Sequence, residues 1–196
     1  MQVASATQSD ARATLEAAIT LLNGLTPVAV GSDVVRPVDD GEPFDVRQAL
    51  DDVGFTRAAK ASAASIDRIG RRVRELRPLF DGLLGATFDD ASAAVNEQLT
   101  ELAIRPAVVA HDGVGPHLHW SASTATFDDQ VLTDILMALA IELCEDGTER
   151  FGRCAADGCG RLFFDSTRNR SRRFCDDRRC ASRTHTADHR ARRRSA

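Results

Sequence analysis

The 196-residue chain has no tyrosine, a single tryptophan and an aromatic content of only 5%. A core with so few rings has to be assembled from Ala, Leu, Val and Ile, and helices are expected to carry them. No uninterrupted apolar run approaches the roughly 20 residues that a membrane-spanning helix needs, so no membrane association is expected. The opening stretch, MQVASATQSDARATLEAA, lacks the positive flank followed by an apolar run that marks a secretory signal. A cytoplasmic protein with reduced cysteines is therefore expected. A nucleophile elbow, a phosphate-binding loop and an HExxH helix are all missing. The Asp pairs at 39–40, 51–52, 89–90 and 128–129 mostly fall in loops or at helix starts, where Asp caps the backbone. The expectation is that the chain is not an enzyme.

The formal net charge of -4 taken alone disfavours a nucleic-acid partner, but it is an average of two opposed parts. Residues 1–146 carry 23 acidic against 11 basic side chains, a net of -12. Residues 147–196 carry 14 basic side chains, all arginine, against 6 acidic ones, a net of +8. An asymmetry of this size describes an acidic body with a cationic arm.

Within the body, Ala11, Leu15, Ala18, Ile19 and Leu22 fall on one helical face, with Ser9 or Asp10 as cap and Gly24 in the position of a left-handed C-cap. Residues 26–43, with Pro27, Pro37 and Pro43, read as a loop holding a short strand at Val28–Val30. A short helix over Asp45–Val53 closes at Gly54. Residues 56–76 place Ala59, Ala63, Ile66, Ile69 and Val73 in helical register, interrupted before Pro78. Leu79–Leu84 is a further short helix, and another begins near Asp89 or Asp90 and carries Val95, Leu99 and Leu102. The period then changes. Ala107–His111 and His117–Ser121, separated by Asp112-Gly113-Val114-Gly115, predict a β-hairpin. The strongest helical stripe follows Asp128 and Asp129: Val131, Leu132, Ile135, Leu136, Leu139 and Leu143. It ends at Gly147. Cys144 on this helix reads as a small core residue. His111, His117 and His119 cluster at the hairpin, where they are ordinary polar positions or, alternatively, a metal or ligand site.

The body is long enough to bury a core of its own, whereas a 50-residue tail needs a disulfide, a metal or a partner. Cys154, Cys159, Cys175 and Cys180 lie in that tail with the spacing C-x(4)-C-x(15)-C-x(4)-C. Two knuckles joined by such a loop present four sulfurs to one ion, the geometry zinc prefers, and a closed four-ligand site is structural rather than catalytic. One structural Zn(2+) per chain is expected. Two disulfides, free buried thiols, an iron–sulfur cluster, or a mixed Cys175, Cys180, His185, His189 site are the alternatives. Phe163, Phe164 and Phe174 are expected to pack around the metal.

Residues 153–194, RCAADGCGRLFFDSTRNRSRRFCDDRRCASRTHTADHRARRR, resemble the CGNR zinc finger. The resemblance rests on the first Cys pair, the Leu162-Phe163-Phe164-Asp165 step, and the run Ser166-Thr167-Arg168-Asn169-Arg170-Ser171-Arg172-Arg173-Phe174-Cys175. The naming tetrapeptide stands here as Cys180-Ala181-Ser182-Arg183, keeping Cys and Arg and replacing Gly and Asn. In that family an N-terminal ABATE domain, described as a stress-induced transcription regulator, usually precedes the finger. Residues 1–147 have the length and position of one, and Leu21-Leu22-Asn23-Gly24-Leu25 loosely resembles its apolar-Asn-Thr-Leu segment.

These features predict a mainly α fold with a small β-hairpin (α+β). A helical domain over 1–147 is followed by a treble-knuckle-like zinc module over 148–196 that ends in a basic helix. Arginine makes bidentate contacts with phosphate and guanine. The expected nucleic-acid contacts are Arg168, Asn169, Arg170, Arg172 and Arg173 on the loop, with Arg183, Arg190, Arg192 and Arg193 on the helix. DNA is the expected partner, ahead of RNA, with transcription regulation as the function. The body is expected to sense a small-molecule effector or to mediate homodimerisation. The alternatives are a zinc-stabilised protein-interaction module and an arginine run docked on the chain's own acidic body.

Overall fold

A computed structural model describes residues 2–26, 28–30, 33–35, 44–110 and 115–194; for 2–9, 28–30, 33–35, 187–191 and 194 it describes the backbone alone. The first helix, α1 (Gln2–Leu25), begins before the expected cap and buries Ala11, Leu15, Ala18, Ile19 and Leu22. Gly24 does not terminate it. A Cβ there would lie 2.3 Å from the Phe44 ring, so the glycine is what lets that ring close over the helix end. The strand expected at Val28–Val30 (β1) pairs antiparallel with β2 (Asp33–Val35). The three prolines of this stretch lie outside the described residues.

Side-chain caps set the next boundaries. The Asp45 carboxylate accepts from the Gln48 amide at 3.1 Å to start α2 (Val46–Asp52), and Gly54, at φ +91°, turns the chain out of it. The single helix expected across 56–76 is two pieces. A 3-10 turn at Thr56–Lys60 precedes α3 (Ala63–Glu75), because the Ser62 hydroxyl accepts from the Ser65 amide at 3.2 Å and opens a new helix. The break shifts the register, so Ala58 is buried and Ala59 is exposed. In α4 (Arg77–Gly82), Pro78 occupies the first turn, where its missing N–H has no partner to lose. Thr87 caps α5 (Phe88–Thr100) and Thr126 caps α6 (Phe127–Asp146). Asp89, Asp90, Asp128 and Asp129 lie in the first turns, where negative charge complements the helix dipole.

Helix α6 is the axis of the fold and packs against α1, α3 and α5. Its stripe of Val131, Leu132, Ile135, Leu136, Leu139 and Leu143 is buried. Cys144 is exposed, not a core residue: one step beyond Leu143 turns a side chain about 100° round a helix, here out of the packed stripe. The predicted hairpin forms between β3 (Ile104–Val109) and β4 (His117–Ser121), which lies against α6. Its turn at 111–114, with His111, lies outside the described residues.

The core does not stop at residue 147. A hairpin not expected from the sequence, β5 (Phe151–Arg153) with β6 (Leu162–Phe164), buries Phe151, Leu162 and Phe164 in the same apolar cluster as the helices. Phe164 therefore belongs to the main core rather than to the metal's surroundings. Phe163 crosses to Gly152, where a Cβ would sit 2.3 Å from its ring. Of the three phenylalanines, Phe174 alone packs against the cysteines. The chain ends in the basic helix α7 (Arg178–Arg194). The fold is thus α+β, mainly helical with two-stranded antiparallel hairpins. Among the described residues no helix is long and apolar enough to cross a membrane.

Candidate metal centre

Two turns and a helix start bring the four cysteines together. Gly158, at φ +69°, allows the chain to fold back so that the Cys159 amide reaches the Ala156 carbonyl at 3.0 Å. The Cys154 amide donates to Arg161 at 2.9 Å, and the Ala155 amide donates to Arg173 at 2.8 Å, which joins the first knuckle to the second. Asp177 opens α7 by accepting from the Arg179 amide at 2.9 Å, so Cys180 rides on the first helical turn. Arg161 bridges to Asp177 at 3.5 Å.

The ligand atoms of Cys154, Cys159, Cys175 and Cys180 all lie within 4.8 Å of one another. The Cys159–Cys175 and Cys175–Cys180 sulfurs are 4.0 and 3.8 Å apart. Four thiolates at the usual Zn–S length of about 2.3 Å in a tetrahedron have edges of about 3.8 Å, so the spacing fits one zinc ion. It is far from the roughly 2 Å of a disulfide, and all five cysteines are free.

The electrostatics point the same way. Burial pushes the Cys159 thiol up to about 11 and Cys175 higher still. Burial also opposes ionisation of Cys154, but the amides of Cys175 and Ala156 outweigh it and hold this thiol below its ordinary value. Four thiolates in mutual contact repel, and a divalent cation between them relieves both that repulsion and the desolvation. Arg183 donates to the Cys180 sulfur at 3.7 Å. The arginine retained in Cys180-Ala181-Ser182-Arg183 thus supports a ligand from outside the site. His185 is exposed, its ring edge-on to Phe174 at 5.9 Å. The four cysteines are the one group of three or more His, Cys, Asp or Glu among the described residues placed to share an ion. They hold one structural Zn(2+).

The arginines expected to contact nucleic acid divide into two sets. Arg170, at φ 47°, pairs with Asp146 and Glu149. Arg172 donates to the Phe174 and Phe164 carbonyls at 2.9 and 3.2 Å, pairs with Asp176, and lies over the Phe163 ring at 5.7 Å. Both are tied into the fold. Arg168, Asn169, Arg173, Arg183, Arg192 and Arg193 are exposed. Arg168 and Arg193, together with the unpredicted Arg178, have no ion pair among the described residues. The Arg190 side chain lies outside them.

Sequence reasoning missed the residues that fix this platform to the body. Buried Arg150 bridges Glu142 at 3.2 Å and Asp146 at 2.6 Å, and also donates to the Asp165 and Thr167 carbonyls at 2.8 and 3.0 Å. Arg12 reaches the same two acids at 3.2 and 2.7 Å. Burial acts against the Asp165 charge, but the Thr167 hydroxyl and the Arg172 and Thr167 amides outweigh it and hold the carboxyl below its usual range. Asn23 clamps Leu162, accepting from its amide at 2.9 Å and donating to its carbonyl at 2.8 Å. The only signals available beforehand were the Asp of the Leu162–Asp165 step and the Asn of the Leu21–Leu25 segment. Neither reveals its partner.

Residues 150–193 match the family model described as CGNR zinc finger. A search of curated proteins finds no match to the chain.

Proposed function

We propose that this chain is a cytoplasmic transcription regulator that binds DNA through its C-terminal CGNR-type zinc finger. In this reading residues 1–147 form an ABATE-like domain that takes a small-molecule effector or mediates homodimerisation, and the zinc has no catalytic part. One observation carries the DNA reading. With Arg170 and Arg172 engaged in ion pairs of the fold, Arg168, Arg178 and Arg193 remain exposed on the loop and α7, the two segments that flank the metal, with no ion pair among the described residues. Arg173 is exposed as well, its guanidinium over the Phe174 ring at 5.8 Å, and arginines so placed beside the knuckle suit a phosphate-tracking surface.

Binding of the full zinc-loaded chain to duplex DNA over a range of salt concentrations tests this. Affinity falls steeply with salt, and Arg168→Ala or Arg193→Ala each lowers the log–log slope by about 1. Zinc-dependent folding without DNA binding at low salt would instead favour a protein-interaction module. The engagement of Arg170 and Arg172 by acids of the chain itself is what favours that second reading.

A further inference from the structure

We propose that the N-terminal body binds a small amphipathic organic cation, an amine carried on an apolar or aromatic frame, in the cavity between α1, α6 and the β3–β4 hairpin, with Asp134 as its counter-ion. This specifies the effector role given above to the body and rests on that part of the reading.

The cavity measures about 1150 Å³, room for a drug-sized molecule. Helix α6 has a second working face: Phe127, Gln130, Asp134, Ala138 and Ile141, spaced three or four apart, line one wall. The lining also includes Phe55 and, from the hairpin, Trp120 with the solvent-exposed Val108 and Leu118. Such walls suit a ligand with an apolar frame.

Asp134 sets the sign of the polar end. Asp128, Asp129, Glu142 and Asp146 on the same helix each pair with an arginine. Asp134 has no hydrogen bond or ion pair among the described residues. Burial pushes its carboxyl up to about 6, yet it opens into the cavity rather than into packed core. A carboxylate kept partly dehydrated and unpaired is a receptor for a positive group.

Arg57 is the arginine of the lining; it donates to Gln130 at 2.7 Å and lies over the face of Phe127 at 5.3 Å, and no ion pair joins it to Asp134 among the described residues. The Nε2 atoms of His117 and His119 are 3.1 Å apart, so the two rings engage one another. Asp10 is exposed on the α1 side. At Asp134 an anionic group would meet a like charge, whereas an amine would meet an opposite one with Trp120 of the same lining available for a cation–π contact.

Trp120 is the only tryptophan and lines the cavity, so energy transfer from it to a dansyl group reports binding. Three probes are titrated into the full zinc-loaded chain: dansylcadaverine (cationic), dansylamide (neutral) and dansylglycine (anionic). Dansylcadaverine binds most tightly. Asp134→Asn weakens it by about tenfold or more, the scale of a hydrogen bond to a charged group, and leaves dansylamide within about twofold. Thr14→Phe, which narrows the cavity from α1 and leaves Trp120 the one donor, weakens both. The proposal is overturned if Asp134→Asn leaves the amine unaffected, if dansylglycine binds as well as dansylcadaverine, if Thr14→Phe changes neither, or if no probe binds. The salt titration with DNA reads the finger separately, so either reading can fail while the other stands.

Discussion

Replacing Asn23 by Ala removes a contact that joins the first helix to the metal-bearing segment. Asn23 is 8% exposed and Leu162 is 1% exposed. Strand β6 pairs with β5 along one edge; the Asn23 amide covers the other edge at Leu162, with hydrogen bonds of 2.8 and 2.9 Å. Alanine leaves a buried N–H and a buried C=O without partners, at about 1–3 kcal/mol each. The expected loss is about 2–6 kcal/mol, toward the lower end if water enters the space vacated by the amide. Against a total stability of about 5–15 kcal/mol for a domain, this is a large fraction. Leu162 shares a core with Phe151, Phe164 and the helices, so the loss should register on both sides of residue 147. Urea unfolding of the zinc-loaded protein is followed by Trp120 fluorescence for the body and by a chromophoric zinc indicator for the finger. Both midpoints should fall together with unchanged slope. A loss below about 0.5 kcal/mol, the level of an ordinary surface substitution, would refute the clamp. A shift in zinc release alone, with the Trp120 midpoint unmoved, would refute the coupling and show two units that unfold independently.

Three further outcomes follow from the same geometry. In the native zinc-loaded protein a thiol reagent should titrate one fast cysteine, exposed Cys144, and all five after chelation; more than one fast thiol before chelation would contradict the closed site. Cys159→Ser should abolish stoichiometric zinc binding and lower the stability of the core that Phe151, Leu162 and Phe164 share, read by metal content and thermal unfolding; retention of one tight zinc would mean that this cysteine is not a ligand. The pH dependence has two opposite components. Asp146 and Asp165 have lowered carboxyl values, so their stabilisation is present above the ordinary value of about 3.9 and is lost as pH falls through the folded values. Asp134, raised to about 6, favours the folded state when protonated, so its contribution weakens as pH rises from about 4 through 6. Asp134→Asn should therefore be more stable than the parent at pH 7.5, by about 1–2 kcal/mol after allowance for water in the cavity, and lose that advantage toward pH 5. An advantage that is the same at both pH values would exclude Asp134 as its source.

What can be read locally was largely readable. The stripes of α1 and α6, the hairpin at 107–121, the short helix closed at Gly54 and the four-cysteine spacing are patterns along the chain, and each depends on residues a few positions apart. The errors arose where a local cue competes with a pattern or where a pattern is one step out. Ser62 breaks an otherwise continuous helical register, and Cys144 lies one residue beyond the packed stripe. Phe163 and Phe164 look equivalent in sequence, yet strand alternation sends Phe164 into the common core and Phe163 across to Gly152.

The sequence by itself determined that this protein has few rings to pack, helices to compensate, an acidic body, a basic tail and a four-sulfur metal site. Composition, period and spacing are sufficient for each of these. Only the tertiary structure decided which arginines of that tail are available. Arg150 and Arg170 meet Glu142, Asp146 and Glu149, while Arg168 and Arg193 meet no acid among the described residues. Partners such as Arg12 and Glu142, 130 positions apart, are chosen by how α1 packs on α6. Charge counted along a chain carries no information about which charges the fold brings within 4 Å, and it is that proximity, with the desolvation that accompanies it, that converts an arginine from a binding group into a structural one.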